Sequence, residues 1–274
     1  FVRDVTQRKR SEQKLRVLNE TLVQQNQRLA AQEEELKATL EELSERNFEL
    51  DQIMYKTSHD LRSPLSSILG LVNLARMDSE ANHKTYIEKI EGRIKKLDEF
   101  IKSMLNYARV SRDETGYEAV NLEVVVQECI QELEYLDNFA AVQVIRNFVG
   151  VDIPFISDPV RIRIIIGNII SNAYKYYNRN VKSTLRITAN ITPQQAIIVI
   201  KDNGIGIREE HTSRIFDMFY RATENSQGSG LGMYIVKQGV EKLKGAIAVK
   251  SKYGKGTSIT LTLPNQLKKQ KERS

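Results

Sequence analysis

Ser58–His59–Asp60–Leu61–Arg62–Ser63–Pro64–Leu65 is the stretch around which the rest of this chain is organised. It lies inside a long apolar-periodic run. An α-helix has about 3.6 residues per turn, so His59, Arg62 and Ser63 share one face. Pro64 has no N–H, so it frees the carbonyl of Asp60 and is expected to bend the helix beside the histidine. Leu61, Leu65, Ile68 and Leu69 are expected to supply the buried side. Taken alone, the stretch fits a surface histidine on a kinked helix as well as it fits a site. What changes its weight lies downstream, in a polar helix stripe and a series of glycine-containing turns.

Upstream, Leu15, Leu22, Leu29, Leu36, Leu43 and Leu50 recur every seven residues. With these at d, the a positions hold Asn19, Asn26, Glu33, Leu40, Asn47 and Met54. Leucine at d with asparagine at a favours a parallel two-stranded coiled coil, and so many polar a residues make its seam weak. A spacer helix and a signal-transmitting coil both fit this pattern. At the start, Asp4 and Thr6 are expected to cap the helix by accepting its free N–H groups.

Helical periodicity continues to about Met77, and residues 78–82 read as a turn. A second helix follows, with Tyr86, Ile90, Ile94, Leu97, Ile101, Met104, Leu105 and Ala108 on one stripe. A two-helix hairpin cannot bury both apolar stripes alone, and dimerisation into a four-helix bundle solves this. His83, with no acid or apolar context, is expected to be solvent-exposed. Residues 109–116 read as a hinge. Beyond them, strand-like runs at 118–122, 142–148, 185–191, 196–201, 246–250 and 257–263 alternate with helical patterns at 123–135, 159–177 and 231–243. Such a mixture, with residues 192–195 as a hairpin turn, suggests an α/β sandwich.

The composition fits this division. The chain has 274 residues, 41% of them apolar, and a formal charge of +6. That length allows two domains of about 100–200 residues each. No apolar run reaches the roughly 20 residues that cross a bilayer. The chain opens on Phe1 and carries no signal-peptide pattern, so it reads as a fragment whose sensory part, with any membrane anchor, lies upstream. The single cysteine, Cys129, falls in an apolar pattern; it excludes an internal disulfide and a cysteine-rich zinc site and points to an intracellular, cytoplasmic setting. The one basic cluster, Lys268, Lys269, Lys271 and Arg273, follows the last fold signal and reads as a solvated tail. Nothing interleaves aromatic with basic residues, so no nucleic-acid partner is expected.

Four motifs carry chemistry. Asp158 and Pro159 open a helix on which Asn168, Asn172, Lys175 and Tyr176 form one polar stripe, with Ile162, Ile165, Ile166, Ile169 and Ala173 covering much of the rest. Two asparagines on an otherwise apolar helix are costly without partners. Their amide oxygens suit Mg²⁺, a hard cation that arrives with phosphates. Lys175 adds positive charge for those phosphates, and Tyr176 is placed to cover a base. Next, Asp202–Asn203–Gly204–Ile205–Gly206 follows a strand. Its carboxylate suits the exocyclic amine of adenine, and Gly204 and Gly206 let backbone approach closely. Third, Phe216, Phe219 and Arg221 fall in one short run, and the polar residues 222–227 after it are expected to be disordered without ligand. Fourth, Gly228, Ser229, Gly230, Leu231 and Gly232 precede a helix, an arrangement that presents N–H groups to an anion. Gly254, Lys255, Gly256 and Thr257 then turn the chain into its last strand.

The run H-D-L-R-S-P-L resembles the phosphoacceptor box of the sensor histidine kinases of two-component systems. N-I-I-S-N-A-Y-K-Y is similar to that family's asparagine box, and R-I-F-D-M-F-Y-R to its phenylalanine-rich box. The ordered set resembles a Bergerat-type ATP-binding fold rather than a P-loop, since no G-x-x-x-x-G-K-[ST] occurs. F-V-R-D-V-T resembles the exit of a PAS-type sensor domain. The resemblance implies a multidomain α and α+β chain. Residues 1–47 would be sensor exit and signalling coil, 48–115 the dimerisation and phosphotransfer hairpin, 116–265 an α/β-sandwich ATP-binding domain, and 266–274 a basic tail.

It implies an ATP-dependent kinase acting as a homodimer. His59 would take the γ-phosphoryl group and pass it to an aspartate on a separate response-regulator receiver domain. Asp60 would share the imidazole proton, although residue i+1 must reach round the helix to do so. ATP and Mg²⁺ would be held by Asn168, Asn172, Lys175, Tyr176, Asp202, Gly204, Gly206, Arg221, Gly228, Gly230, Leu231, Gly232 and Thr257. Ser63 departs from the threonine or asparagine common at its position, which bears on dephosphorylation of the partner more than on the kinase step. A Bergerat-fold ATPase, or a serine kinase with a non-catalytic dimerisation hairpin, would share the nucleotide motifs without the histidine box.

Overall fold

The structure is a computed structural model that describes residues 2–78, 82–112, 116–136, 138–222 and 228–267, with backbone only at residues 2–12 and at Glu42, Arg46, Glu49 and Leu50. The expectations for the Asp4 and Thr6 side chains, Leu50, turn residues 79–81, hinge residues 113–115, segment 223–227 and the basic tail lie outside the described residues. The chain divides into two compact units, Phe1–Ile90 and Glu91–Ser274.

The first unit is dominated by α1 (Val2–Met77) and contains the start of α2 (His83–Ser111). α1 is already helical at Val2, so Asp4 and Thr6 fall inside the helix rather than at its cap. It runs unbroken through Pro64. Its heptad leucines Leu15, Leu22, Leu29, Leu36 and Leu43 are all exposed. Leu65 and Leu69, expected on a buried side, are exposed as well. The reason is the one that favours a dimer: among the described residues of this unit, none covers an apolar stripe of that length.

At the hairpin end, His83 departs from expectation. It is half-buried, and its Nε2 lies 2.8 Å from the Ala75 carbonyl. The last carbonyls of a helix have no partner in the helix itself, and the imidazole N–H supplies one. Asp78 accepts from Tyr86 Oη at 2.7 Å and from Asn82 Nδ2 at 2.9 Å, which joins α2 to the end of α1.

The second unit takes the rest of α2 together with an α/β sandwich. Its elements are β1 (Glu118–Ala119), α3 (Leu122–Gln131), β2 (Val142–Val149), β3 (Ile156–Ser157), α4 (Pro159–Lys175), β4 (Ser183–Ile191) and β5 (Gln195–Asp202). α5 (Glu209–Thr212), α6 (Gly232–Lys242), β6 (Ala246–Lys252) and β7 (Gly256–Pro264) complete it. One five-stranded sheet has the order β2-β4-β5-β7-β6, parallel at β2/β4 and antiparallel elsewhere; β1 and β3 form a separate antiparallel pair.

The inward residues of β4 (Leu185, Ile187, Ala189, Ile191) and β5 (Ala196, Ile198, Ile200) pack with Val126 and Cys129 of α3, Ile162, Ile165, Ile166, Ile169 and Ile170 of α4, and Val236 and Val240 of α6 in one core. The mixed α and α/β architecture expected from the sequence is therefore present.

Two local expectations shift. The strand at 118–122 stops at Ala119, because the Asn121 side chain accepts from the N–H groups of Glu123 and Val124 at 3.0 and 3.2 Å and starts α3 at once. The helix expected over 123–135 ends at Gln131 and gives way to turns.

α2 also differs from its expected single stripe. Ile94, Ile101 and Leu105 are exposed, whereas Phe100 and Val110 are buried. A second face of α2 lies on the sandwich. Arg161, 1% exposed, donates from Nε to the Val110 carbonyl at 3.1 Å and from Nη2 to the Arg112 carbonyl. Its Nη1 meets Asp158 Oδ2 at 2.7 Å, while Asp158 Oδ1 accepts the Arg161 N–H at 2.9 Å and caps α4.

Candidate functional site

The histidine box sits on an exposed helix surface. His59, Arg62 and Ser63 are all exposed, the His59 side chain by 66%. Asp60 does reach round: its Oδ1 lies 3.0 Å from His59 Nδ1. Lys56, one turn earlier, is 3.6 Å from the same oxygen. A carboxylate only accepts, so this contact puts the imidazole proton on Nδ1 and leaves the Nε2 lone pair outward. Ser63 contributes its carbonyl to Ser67 Oγ at 3.0 Å.

The other predicted residues gather in the sandwich, where α4, the β5 exit and the start of α6 meet. Asn168 Nδ2 donates back to the Ile164 carbonyl at 2.8 Å, so its amide oxygen is the group presented. A Cβ on Gly232 would come within 2.9 Å of that oxygen, so a larger residue where α6 begins would make the Asn168 amide shift. Asn172 is half-buried, a turn further on, and its side chain bonds to no other described residue. The Asn168 amide oxygen, with the Asn172 amide one turn on, suits a hard cation carried in with phosphates. Among the described residues no cluster of three His, Cys, Asp or Glu offers a metal site of another kind.

Lys175 lies at the glycine turn. Its Nζ is 3.9 Å from where a Cβ on Gly228 would stand, and 3.9 Å from Glu99 Oε2 on α2. α6 opens at Leu231 without a side-chain cap, which leaves its first N–H groups for an anion. Leu231 itself is fully buried. Gly230, at φ +73, packs against Phe219, whose own φ is +61. Phe216 and Phe219 are half-buried, and Arg221 is exposed at the end of this segment.

Asp202 ends β5. Its Oδ1 accepts the N–H groups of Gly204 at 2.8 Å and Thr257 at 3.2 Å, leaving Oδ2 as an acceptor for an amino group. Burial pushes its pKa above the usual carboxylate value, against the pull of those N–H groups. A shallow depression lies here, lined by Ala173, Tyr177, Thr184, Leu185, Asp202 and Gly204 among others. It encloses no cavity of the roughly 300–1,000 Å³ typical of small-molecule sites. Tyr176 is half-buried at the end of α4, and its carbonyl accepts the Ile205 N–H at 3.0 Å.

The glycines also serve the chain's own packing. A Cβ on Gly204 would strike the Tyr176 carbonyl at 2.4 Å, and one on Gly206 (φ +66) the Lys252 carbonyl at 2.2 Å. They let three segments of the chain's own backbone close on one another. Two polar residues in this closure were not anticipated. Ser251 Oγ accepts the Ile207 N–H at 2.8 Å and lies 2.9 Å from Thr257 Oγ1; Asn203 ties Thr184 to Lys182 through 2.7 and 2.9 Å bonds.

Comparison with known proteins bears on two stretches of the chain. Residues 157–267 match the family described as histidine kinase-, DNA gyrase B-, and HSP90-like ATPase. That description spans several kinds of protein. Residues 49–112, around His59, match the His Kinase A (phospho-acceptor) domain, and this second match selects among them. The chain belongs to the sensor histidine kinases.

It is 28% identical over 225 residues to the methanogenesis regulatory histidine kinase FilI of Methanothrix harundinacea, covering 80% of this chain and 25% of that protein. Its fold is similar to that of histidine kinase ThkA, solved in complex with the response regulator protein TrrA (TM-score 0.64, 19% identity, 82% of this chain and 64% of that one). It is likewise similar to full-length ShkA in complex with AMPPNP (TM-score 0.56, 22% identity, 76% and 44%). The chain spans between 25% and 39% of the length of the first curated relatives it matches. None of its helices, among the described residues, is long and apolar enough to cross a membrane.

Proposed function

We propose that this chain is the transmitter part of a sensor protein-histidine kinase, which moves the γ-phosphoryl group of ATP to His59 and then to an aspartate of a separate response regulator. The observation that carries the reading is the exposed imidazole with Nδ1 held by Asp60. Nε2 attacks the γ-phosphorus, an N–P bond forms, the β,γ-bridging P–O bond breaks, and ADP leaves with that electron pair. The Nδ1 proton stays shared with Asp60, which offsets the positive charge of the phosphoimidazolium. The rest is positioning and charge neutralisation.

Asp202 reads the adenine amine, and Tyr176 covers the base. Lys175, Arg221 and the turn Gly228–Ser229–Gly230–Leu231–Gly232 take the phosphates. Asn168 and Asn172 would hold a Mg²⁺ ion, which would supply countercharge for the phosphates. Gly204, Gly206 and Thr257 shape the base site.

Residues 48–115 act as a dimerisation and phosphotransfer hairpin and 116–265 as the ATP-binding domain. The uncovered stripes of α1 and α2 support a homodimer. The ThkA complex supports a response-regulator partner, and the ShkA complex supports a nucleoside triphosphate. Use of ATP supports a cytoplasmic setting. Ser63, exposed one turn after His59, keeps a hydroxyl but lacks the methyl of threonine, so its departure from the common residue bears on dephosphorylation of the partner more than on the kinase step.

The test is incubation with γ-labelled ATP and Mg²⁺. The expected label is acid-labile, alkali-stable and lost in His59→Gln. Label on serine, or hydrolysis without label, overturns the proposal.

A further inference from the structure

The polar stripe of α4 has two ends, and α2 holds both. Arg161, Asn168, Asn172 and Lys175 follow one another at helical spacing. Arg161 grips the carbonyls of Val110 and Arg112, and Lys175 meets Glu99 at 3.9 Å. Arg161 to Lys175 spans about 21 Å of α4, and Glu99 to Val110 about 16 Å of α2, at 1.5 Å per residue. Between these points the Tyr107 ring of α2 stacks on Tyr234, in the first turn of α6, with centroids 6.0 Å apart. Glu99, Ser103, Tyr107 and Val110 form one stripe of α2. This segment therefore runs past the asparagines and the glycine turn like a strap.

The two fastenings are unequal. Arg161 is 1% exposed, hydrogen-bonded through all three of its guanidinium nitrogens and paired to Asp158, and removing one partner of a buried charge pair is heavily penalised. The Lys175–Glu99 pair is 27% and 51% exposed. Such pairs shift an equilibrium by up to about fivefold.

We propose that Glu99 is a resident counter-anion for Lys175 that the nucleotide must displace, so that ATP binding frees the middle of α2 from the lobe while Arg161 remains the pivot. This rests on the nucleotide reading of the lobe. A triphosphate brings several negative charges to Lys175 where Glu99 brings one, so the strap yields to it. In return, the strap lowers nucleotide affinity and ties the lobe down until nucleotide arrives.

The experiment compares wild type with Glu99→Gln in the full chain, using AMPPNP with Mg²⁺. Affinity is measured at low salt and at about 1 M salt, where the Debye length is near 3 Å. Amide hydrogen exchange over residues 95–112 is followed with and without the analogue. The expected result is two- to fivefold tighter binding by Glu99→Gln at low salt, with the difference lost at high salt. In wild type, saturating analogue should speed exchange around Glu99 and leave the Val110 end protected. Equal or weaker binding by the variant, or no change in exchange, overturns the strap and leaves the nucleotide site standing. Failure of both proteins to bind the analogue overturns the nucleotide reading, and the strap with it.

Discussion

α1 and α4 are both helices built on recurring aliphatic residues, yet they meet opposite fates. The leucines of α1 stand in solvent, Leu36 at 60% exposure, whereas Ile162, Ile165 and Ile166 of α4 are fully enclosed. The difference is in what each can reach within its own unit. α4 lies between a sheet and two helices and closes its core without help. α1 has only its partner helix, and its apolar stripe waits for a second chain. The proposed site follows the same division. His59, the proposed acceptor, is carried on the exposed helix, while the polar stripe of α4 is half-buried and shaped by its neighbours.

The comparison breaks most sharply under mutation. Ile165→Ala removes a fully enclosed side chain packed against Gly239 and should cost the sandwich about 2–5 kcal/mol, read as a lowered melting transition. Leu36→Ala should leave that transition within about 0.5 kcal/mol and instead weaken concentration-dependent association, read by sedimentation. Equal effects of the two substitutions on the melting transition would erase the distinction.

The legible parts of the molecule were those where one helix or strand decides its own pattern. The isoleucine spacing of α4, with Asp158 and Pro159 at its start, foretold the helix and its polar stripe. The alternation in β4 and β5 foretold the sheet. What stayed hidden depends on residues far apart in the chain. β3 has only two residues, held because Asn265 Oδ1 accepts the Ile156 N–H at 2.9 Å. His83 finds the Ala75 carbonyl only once the hairpin has closed. Arg161 reads as an ordinary helix charge until its carbonyl partners on α2 are seen. Glu99 carries no motif at all. The glycine turns were visible, but that their space is filled by the chain's own carbonyls was not.

A smaller effect sharpens the contrast from the side of electrostatics. Asp202 is the one carboxylate of the proposed site that burial holds above its usual pKa. Its acceptor role needs the ionised form, so affinity for AMPPNP should fall as pH drops through that raised value, by at most about tenfold per pH unit. The folded lobe binds this proton more readily than the unfolded chain does. Protonating Asp202 therefore stabilises the fold, and the stability it adds is lost as pH rises from about 3.9 through the raised value. Calorimetric titration should show nucleotide affinity falling with acid before the lobe melts, and Asp202→Asn should flatten that dependence. An affinity that is level with pH in wild type would remove Asp202 from the base site.

The most direct test is where the phosphoryl group lands. After incubation with ATP and Mg²⁺, nitrogen and phosphorus NMR of the denatured chain distinguishes the two imidazole nitrogens. The expected product is a single phosphoramidate on His59 Nε2, because Asp60 holds Nδ1. Phosphate on Nδ1, on another residue, or on none would contradict the account.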